Sequence, residues 1–276
     1  MAKILLTGAT GFVGRQILKQ LENSDHKITI VVRPNWSRRI SFNKSKTNTI
    51  ITDDLFSQNY EWWKDKLAGI DTVIHTAWYT EPGLYLTSSK NTECLNGTIA
   101  LAKAAKAKNI SRFVGLGTCI EYHISDEYLT IDTPLAPNIP YSIAKVDTFN
   151  FLTDLFGDSK TSFLWCRLFY LFGEGEDNRR FYSFIHQSLK DGKVANLTSG
   201  NQIRDFLDVK IAAELIIKGT FGSIEGPANI CSGRGKSIQE FAREIADIYG
   251  RRDLLNFGSR PDNLIDPRSI IGIPSL

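Results

Sequence analysis

Tyr141 and Lys145 stand four residues apart in Tyr141-Ser142-Ile143-Ala144-Lys145, inside a stretch whose pattern predicts a helix from about Tyr141 to Phe156. At that spacing both side chains leave the helix on one face. A free phenol ionises at about pH 10 and exchanges protons poorly at neutrality, so a neighbouring ammonium is needed to stabilise its anion. Lys145 is placed to supply that charge. Thr118, in Gly115-Leu116-Gly117-Thr118-Cys119-Ile120-Glu121-Tyr122, brings a hydroxyl to the end of a predicted strand. With Tyr141 as proton-transfer group and Thr118 donating a hydrogen bond to an oxygen that gains charge, the trio suits proton exchange at a carbonyl or hydroxyl. The Tyr/Lys spacing also arises on ordinary helix surfaces, so its weight depends on its surroundings.

Those surroundings read as alternating strands and helices. Lys3 to Thr7 is a short apolar run, and Phe12 to Leu21 has helical spacing. Further strands are predicted at Lys27 to Val32, Asn48 to Thr52, Asp71 to Ala77, Arg112 to Leu116 and Ser162 to Phe169, with helices at Asn59 to Leu67 and Ser88 to Ala107. The alternation implies parallel βαβ units and a Rossmann-type doubly wound sheet of the α/β class, with Thr118 and Tyr141 between its fifth and sixth strands. Residues 1–172 are expected to form this dinucleotide-binding domain. Residues 173–276, with helices near Phe181 to Lys190, Val209 to Gly219 and Ser237 to Tyr249 and short strands at Val194 to Leu197 and Ile203 to Leu207, are expected to form a smaller substrate-binding lobe.

Between the first strand and helix lies Thr7-Gly8-Ala9-Thr10-Gly11-Phe12-Val13-Gly14. A phosphate needs backbone amides at a helix N-terminus and no Cβ in its way, and Gly8, Gly11 and Gly14 meet both conditions, with Thr10, Phe12 and Val13 beside them. The residue ending the second strand separates the nicotinamide cofactors: an acid bonds the ribose 2′-hydroxyl, whereas arginine receives a 2′-phosphate. Here Val32-Arg33-Pro34 has no acid, so Arg33, assisted by Arg38 or Arg39, points to NADP, with NAD the alternative. After the third strand, Asp54 and Leu55 are placed at the adenine edge, although Asp53 and Asp54 also suit a helix cap. Thr76 and Ala77 end the fourth strand beside the cofactor, and Lys145 is within reach of the nicotinamide ribose.

Composition narrows the remaining options. The chain has 276 residues, 42% hydrophobic and 23% charged, with a net charge of +3 that is too small to suggest a nucleic-acid binder. Cys94, Cys119, Cys166 and Cys231 are scattered with no His close by, which argues against a disulfide framework and a metal site. The first residues hold no apolar stretch long enough for a signal peptide or membrane span, so the expected compartment is the cytoplasm.

The glycine turn, Thr118 four residues before Tyr122, the Tyr141/Lys145 pair and Arg167-Leu168-Phe169 leading to Phe172-Gly173 together resemble the extended short-chain dehydrogenase/reductase family, in particular its nucleotide-sugar epimerases, dehydratases and ketoreductases. The resemblance covers nearly the whole chain. It implies a nucleotide-diphosphate-sugar substrate and a homodimer built on the helices at Ser88 to Ala107 and Tyr141 to Phe156. Arg204 in Arg204-Asp205-Phe206 resembles the arginine that clasps the substrate diphosphate, and Arg260 a second one, with Arg179 and Arg180 candidates of the same kind. Trp78, Cys119 and Tyr170 are expected beside the sugar.

Departures from the family pattern guide the choice of reaction. Dehydratases carry Asp-Glu directly after the catalytic threonine, where this chain has Cys119-Ile120, so 4,6-dehydration is disfavoured. An asparagine common before Val-Tyr-Gly-Pro is replaced by Tyr170. With Arg33 favouring NADP, the reading is an NADPH-dependent reductase of a nucleotide-linked 4-keto-6-deoxy sugar. The alternatives are an NAD-retaining 4-epimerase and a catalytically silent NADP-sensing regulator.

Overall fold

The computed structural model describes residues 1–36, 40–125, 127–263 and 266–276. Its centre is a parallel sheet of β1 (Lys3–Thr7), β2 (Lys27–Val32), β3 (Thr47–Ile51), β4 (Thr72–His75), β5 (Arg112–Thr118), β6 (Ser162–Leu168) and β10 (Gly226–Ile230), in the order β10-β6-β5-β4-β1-β2-β3. Side chains alternate across the sheet, as period-two geometry requires. Ile4, Leu6, Ile28 and Ile30 face α1 (Phe12–Leu21) and α6 (Val209–Phe221) through Ile17, Leu21 and Ile216. Leu5, Val31, Val73 and Trp165 face α2 (Tyr60–Lys66), α3 (Lys90–Ala107) and α4 (Pro140–Gly157) through Trp63, Leu101 and Leu152. Both faces are covered, which is why the strands read as continuous apolar runs.

The predicted six-strand sheet gains a seventh strand. After β7 (Tyr170–Phe172), α5 (Phe181–Lys190), β8 (Ala195–Asn196) and β9 (Ile203–Asp208), the chain returns through α6, which packs on α1, and β10, which pairs with β6. α6 and β10, both beyond residue 172, thus pack with the central sheet. Gly226-Pro227 opens β10 and reads as a loop, but β10 is an edge strand, where a proline costs no ladder hydrogen bond to a second neighbour.

The rest of the second half forms a small lobe beside the C-terminal ends of the strands. β11 (Gly235–Ser237) and β13 (Ser269–Ile270) flank β9, β7 pairs with β9 as well, and β8 pairs with β12 (Leu255–Asn256). Its core joins Ile185 and Leu189 of α5 to Phe241, Ala242 and Ile245 of α7 (Ile238–Tyr249). Ser237 caps α7 by accepting the Glu240 amide, and Gly250 ends it in the left-handed region at φ 62°. No helix among the described residues is long and apolar enough to cross a membrane.

Candidate active site

A cavity of about 830 Å³ opens where β1, β4 and β5 end, the crevice in which a doubly wound sheet takes its ligand. Gly8 takes φ +74°, and a Cβ there would stand 2.7 Å from the Ala77 nitrogen. A Cβ on Gly14 would overlap the carbonyl oxygen of Gly8, so strand and helix can meet only through glycine. Gly11 caps α1 without a side-chain hydrogen bond, which leaves the amides of the first turn available to an anion. This cradle fits a dinucleotide pyrophosphate.

A buried histidine fixes one wall of the cradle. His75 Nε2 lies 2.8 Å from Thr98 Oγ1, whose own proton goes to the Cys94 carbonyl at 2.7 Å, so Nε2 is the protonated ring nitrogen. Nδ1 then accepts from Thr7 Oγ1 at 2.8 Å, and Thr7 Oγ1 in turn accepts the Ala77 amide at 3.4 Å. Burial, with the charge of Lys145 adding to it, pulls the imidazole down to about 3, so it stays neutral and structural.

Thr10, Gly11, Phe12, Val13, Arg33, Leu55, Thr76 and Ala77 line the same cavity as Thr118, Tyr141 and Lys145, together with Trp78, Cys119 and Tyr170. Asp54 lines an adjoining cavity of about 460 Å³, and its carboxylate accepts the Phe56 amide at 3.0 Å. Arg38 and Arg39 lie outside the described residues. Lys145 Nζ donates to the Leu116 carbonyl at 2.6 Å, rests 3.6 Å over the Trp78 ring and lies 5.8 Å from the Tyr141 ring centre. Burial lowers its pKa to about 7, opposed by the charges of Glu121 and Cys94.

Burial pushes the Tyr141 phenol well above its ordinary value, with Tyr85, Glu121 and Cys119 acting in the same sense and Arg180 against it. Lys145 is engaged with Leu116 and Trp78 and does not offset that desolvation. The raised pKa favours the protonated phenol, the form that can donate a proton to an oxygen that gains negative charge.

The arginines divide differently from the sequence pattern. Arg204 is 2% exposed, and its guanidinium donates to Asp266 at 2.7 Å and to the Ile203 carbonyl at 2.8 Å. It lies 5.3 Å from the ring centre of Tyr170 and so backs a residue that lines the cavity, without lining it itself. Arg179 is exposed and pairs with Asp177 and Glu81, and Arg260 is exposed with its amide bonded to the Leu197 carbonyl. Arg180, by contrast, lines both cavities and forms no ion pair among the described residues.

Residues 4–218 of the chain match the NAD dependent epimerase/dehydratase family. The chain belongs to that family. It is 26% identical to the dTDP-6-deoxy-L-talose 4-dehydrogenase (NAD(+)) of Aggregatibacter actinomycetemcomitans, over 98% of each chain. Its fold is similar to that of MoeE5 in complex with UDP-glucuronic acid and NAD (TM-score 0.81, 25% identity, 99% of this chain and 90% of that one). It is also similar to that of a UDP-N-acetylglucosamine 4-epimerase from Methanobrevibacter ruminantium M1 in complex with UDP-N-acetylmuramic acid (TM-score 0.87, 20% identity, 99% and 90%).

As a member of the NAD dependent epimerase/dehydratase family, the chain has cavity walls that its motifs did not announce. Tyr85 packs edge-on against Tyr141 at 4.9 Å, and Phe206 stacks on Phe241 at 4.0 Å, all four lining the cavity. Tyr85 sits in a connection with no motif of its own, and Phe241 is an ordinary core-type residue of an amphipathic helix, so neither carried a chemical signal. Cys119 is buried, its thiol pushed up to about 12 mainly by desolvation, so it moves no proton near neutrality.

Proposed function

We propose that the protein is an NADPH-dependent reductase that converts the C4 ketone of a nucleotide-linked 4-keto-6-deoxy sugar to an alcohol. The observation that carries this reading is that Thr118, Tyr141 and Lys145 line one cavity with the glycine cradle. When bound, the dihydronicotinamide supplies a hydride to the carbonyl carbon. Tyr141 donates its phenolic proton to the carbonyl oxygen, so carbonyl becomes alcohol and the phenolate regains a proton from solvent. The Thr118 hydroxyl donates a hydrogen bond to the same oxygen as it gains charge, and Lys145 holds the nicotinamide ribose. Arg33 at the end of β2 would take the 2′-phosphate, and Arg180 faces the cavity as a cation for the substrate diphosphate.

The relative acting at position 4 of a dTDP-linked 6-deoxyhexose supports this substrate class. Neither Cys119 nor Ile120 can do a dehydratase's proton chemistry. A second reading, a 4-epimerase that keeps its cofactor, draws on the NAD-bound and epimerase fold neighbours. A spectrophotometric assay separates them: with dTDP- and UDP-linked 4-keto-6-deoxyhexoses, the reductase consumes NADPH in step with sugar, whereas an epimerase purifies with bound NAD and interconverts sugars without added cofactor. NADPH binding with no turnover of either kind would leave a sensor. The assembly is proposed to be a homodimer through α3 and α4, checked by light scattering.

A further inference from the structure

Beneath Thr118 lies a buried ion pair that the chemistry above does not use. Glu121 is 0% exposed and Arg167 1%, and Arg167 Nε donates to Glu121 Oε2 at 2.7 Å. Oε1 of the same carboxylate accepts the backbone amide of Thr118 at 2.7 Å, and the Trp165 indole nitrogen donates to both oxygens at 3.2 and 3.1 Å. The neighbouring strand is shaped to allow this. Gly115 and Gly117 lie in register with Trp165 and Arg167, and a Cβ on Gly117 would come within 2.5 Å of Glu121 Oε1 and overlap the Trp165 indole nitrogen.

The network continues away from the cavity. Arg167 Nη1 donates to the Tyr122 hydroxyl at 3.0 Å, Tyr122 donates to Asn229 Oδ1 at 2.7 Å, and Asn229 Nδ2 donates to the Leu129 and Ile273 carbonyls. The position of Thr118 is thereby tied to β10 and to the last residues of the chain. A buried pair of this kind is weak evidence for stability, because well-packed apolar residues commonly replace one at no loss. Two glycines and a tryptophan arranged around it point to what the pair holds in place.

We propose that Glu121 is a positioning residue: anchored by Arg167 and Trp165, its carboxylate fixes the Thr118 backbone so that the Thr118 hydroxyl meets the substrate oxygen beside Tyr141. This rests on the catalytic reading given above for Thr118 and Tyr141. The same negative charge favours retention of the proton on Tyr141 and on Lys145. Around Lys145 the other ionisable groups are Cys94 and the neutral His75, and around Tyr141 they are Tyr85, Cys119 and Arg180.

The test uses full-length protein as Glu121→Met and as Glu121→Met with Arg167→Met, the first removing the acceptor of the Thr118 amide and the second also leaving no lone charge buried. In the wild type the Thr118 amide, followed by NMR hydrogen exchange, is protected, and in both variants that protection is lost. The titration of Lys145, followed by NMR after ¹³C-methylation and assigned with Lys145→Arg, moves to lower pH in the double variant. With the sugar that the wild type turns over, kcat falls about 100-fold while KM and the NADPH Kd hold, as misplacement of a group that acts in the transition state requires. A wild-type Thr118 amide that exchanges like a loop amide overturns the proposal whether or not the variants fold. So does a folded double variant with wild-type kcat and Lys145 titration. The exchange and titration need no substrate, so a wrong sugar assignment leaves this test standing.

Discussion

The two sides of the cavity are built by different physical means. On the side of the proposed cofactor the available groups are backbone amides, and the glycines that shape the turn, Gly8, Gly11 and Gly14, lie within one short stretch of chain. On the substrate side the candidate groups are guanidinium side chains, each free to find an acid elsewhere. Arg204 finds Asp266, 62 residues away, and Arg179 finds Glu81. A backbone cradle is specified locally, whereas the availability of a long cation depends on the whole fold.

The sharpest way to break the catalytic half of this comparison is Tyr141→Phe. Removing the proton donor should lower kcat about 10³-fold while leaving the NADPH Kd unchanged, because the ring that packs on Tyr85 and Trp78 remains. Stopped-flow NADPH oxidation and fluorescence titration check the two parts separately, and unchanged turnover would remove Tyr141 from the mechanism.

Gly14→Ala tests whether the cradle depends on close approach. The added methyl overlaps the Gly8 carbonyl, so the turn must open, and dinucleotide affinity should fall about 100-fold, or about 2.7 kcal/mol. Isothermal titration with NADPH measures this, and wild-type affinity would show that the turn does not hold the pyrophosphate. Arg33→Ser is narrower: NADPH affinity should drop about tenfold with NADH affinity unchanged, the loss of one charge-assisted phosphate contact. An equal loss for both dinucleotides would move Arg33 away from the 2′-position.

What was readable beforehand follows from the same contrast. The strand–turn–helix at Lys3–Leu21 and the placement of Tyr141 and Lys145 on one cavity wall depend on spacing within one or two elements, and sequence periodicity carries that. Strand β10 was hidden because Gly226-Pro227 has the composition of a loop, and only pairing with β6 makes it a strand. The electrostatic setting of Tyr141 was not legible for a related reason. The Tyr/Lys spacing gives the distance along one helix, but the direction of the shift on Tyr141 comes first from its burial among several elements, and the Leu116 carbonyl takes the ammonium.

The Arg204–Asp266 pair sharpens the substrate side of the comparison. Asp266 is half-exposed and can rehydrate, but Arg204 is buried. Asp266→Asn should therefore destabilise the fold more than Arg204→Met does, by about 3 kcal/mol against about 1 kcal/mol, since only the first leaves a buried charge without its counter-ion. Urea denaturation of the two variants measures the order. The reverse order, or a rise in KM with no stability change in Arg204→Met, would mean that Arg204 leaves Asp266 to meet substrate.

The last effect concerns Lys145 and the sign of a pH dependence. Its folded pKa of about 7 lies below the ordinary value of 10.5, so between those values the unfolded chain binds more protons than the native one. Stability contributed by this residue therefore rises with pH across that window, and the cost of burying its ammonium is felt in full only below about pH 7. Compared with Lys145→Met, the wild type should gain in Tm between pH 6.5 and 9.5, since groups common to both proteins cancel in the difference. Calorimetry at the two pH values decides it. A gap that stays constant, or widens in favour of Lys145→Met as pH rises, would mean that the Leu116 carbonyl and the Trp78 ring offset desolvation and that Lys145 keeps its charge throughout.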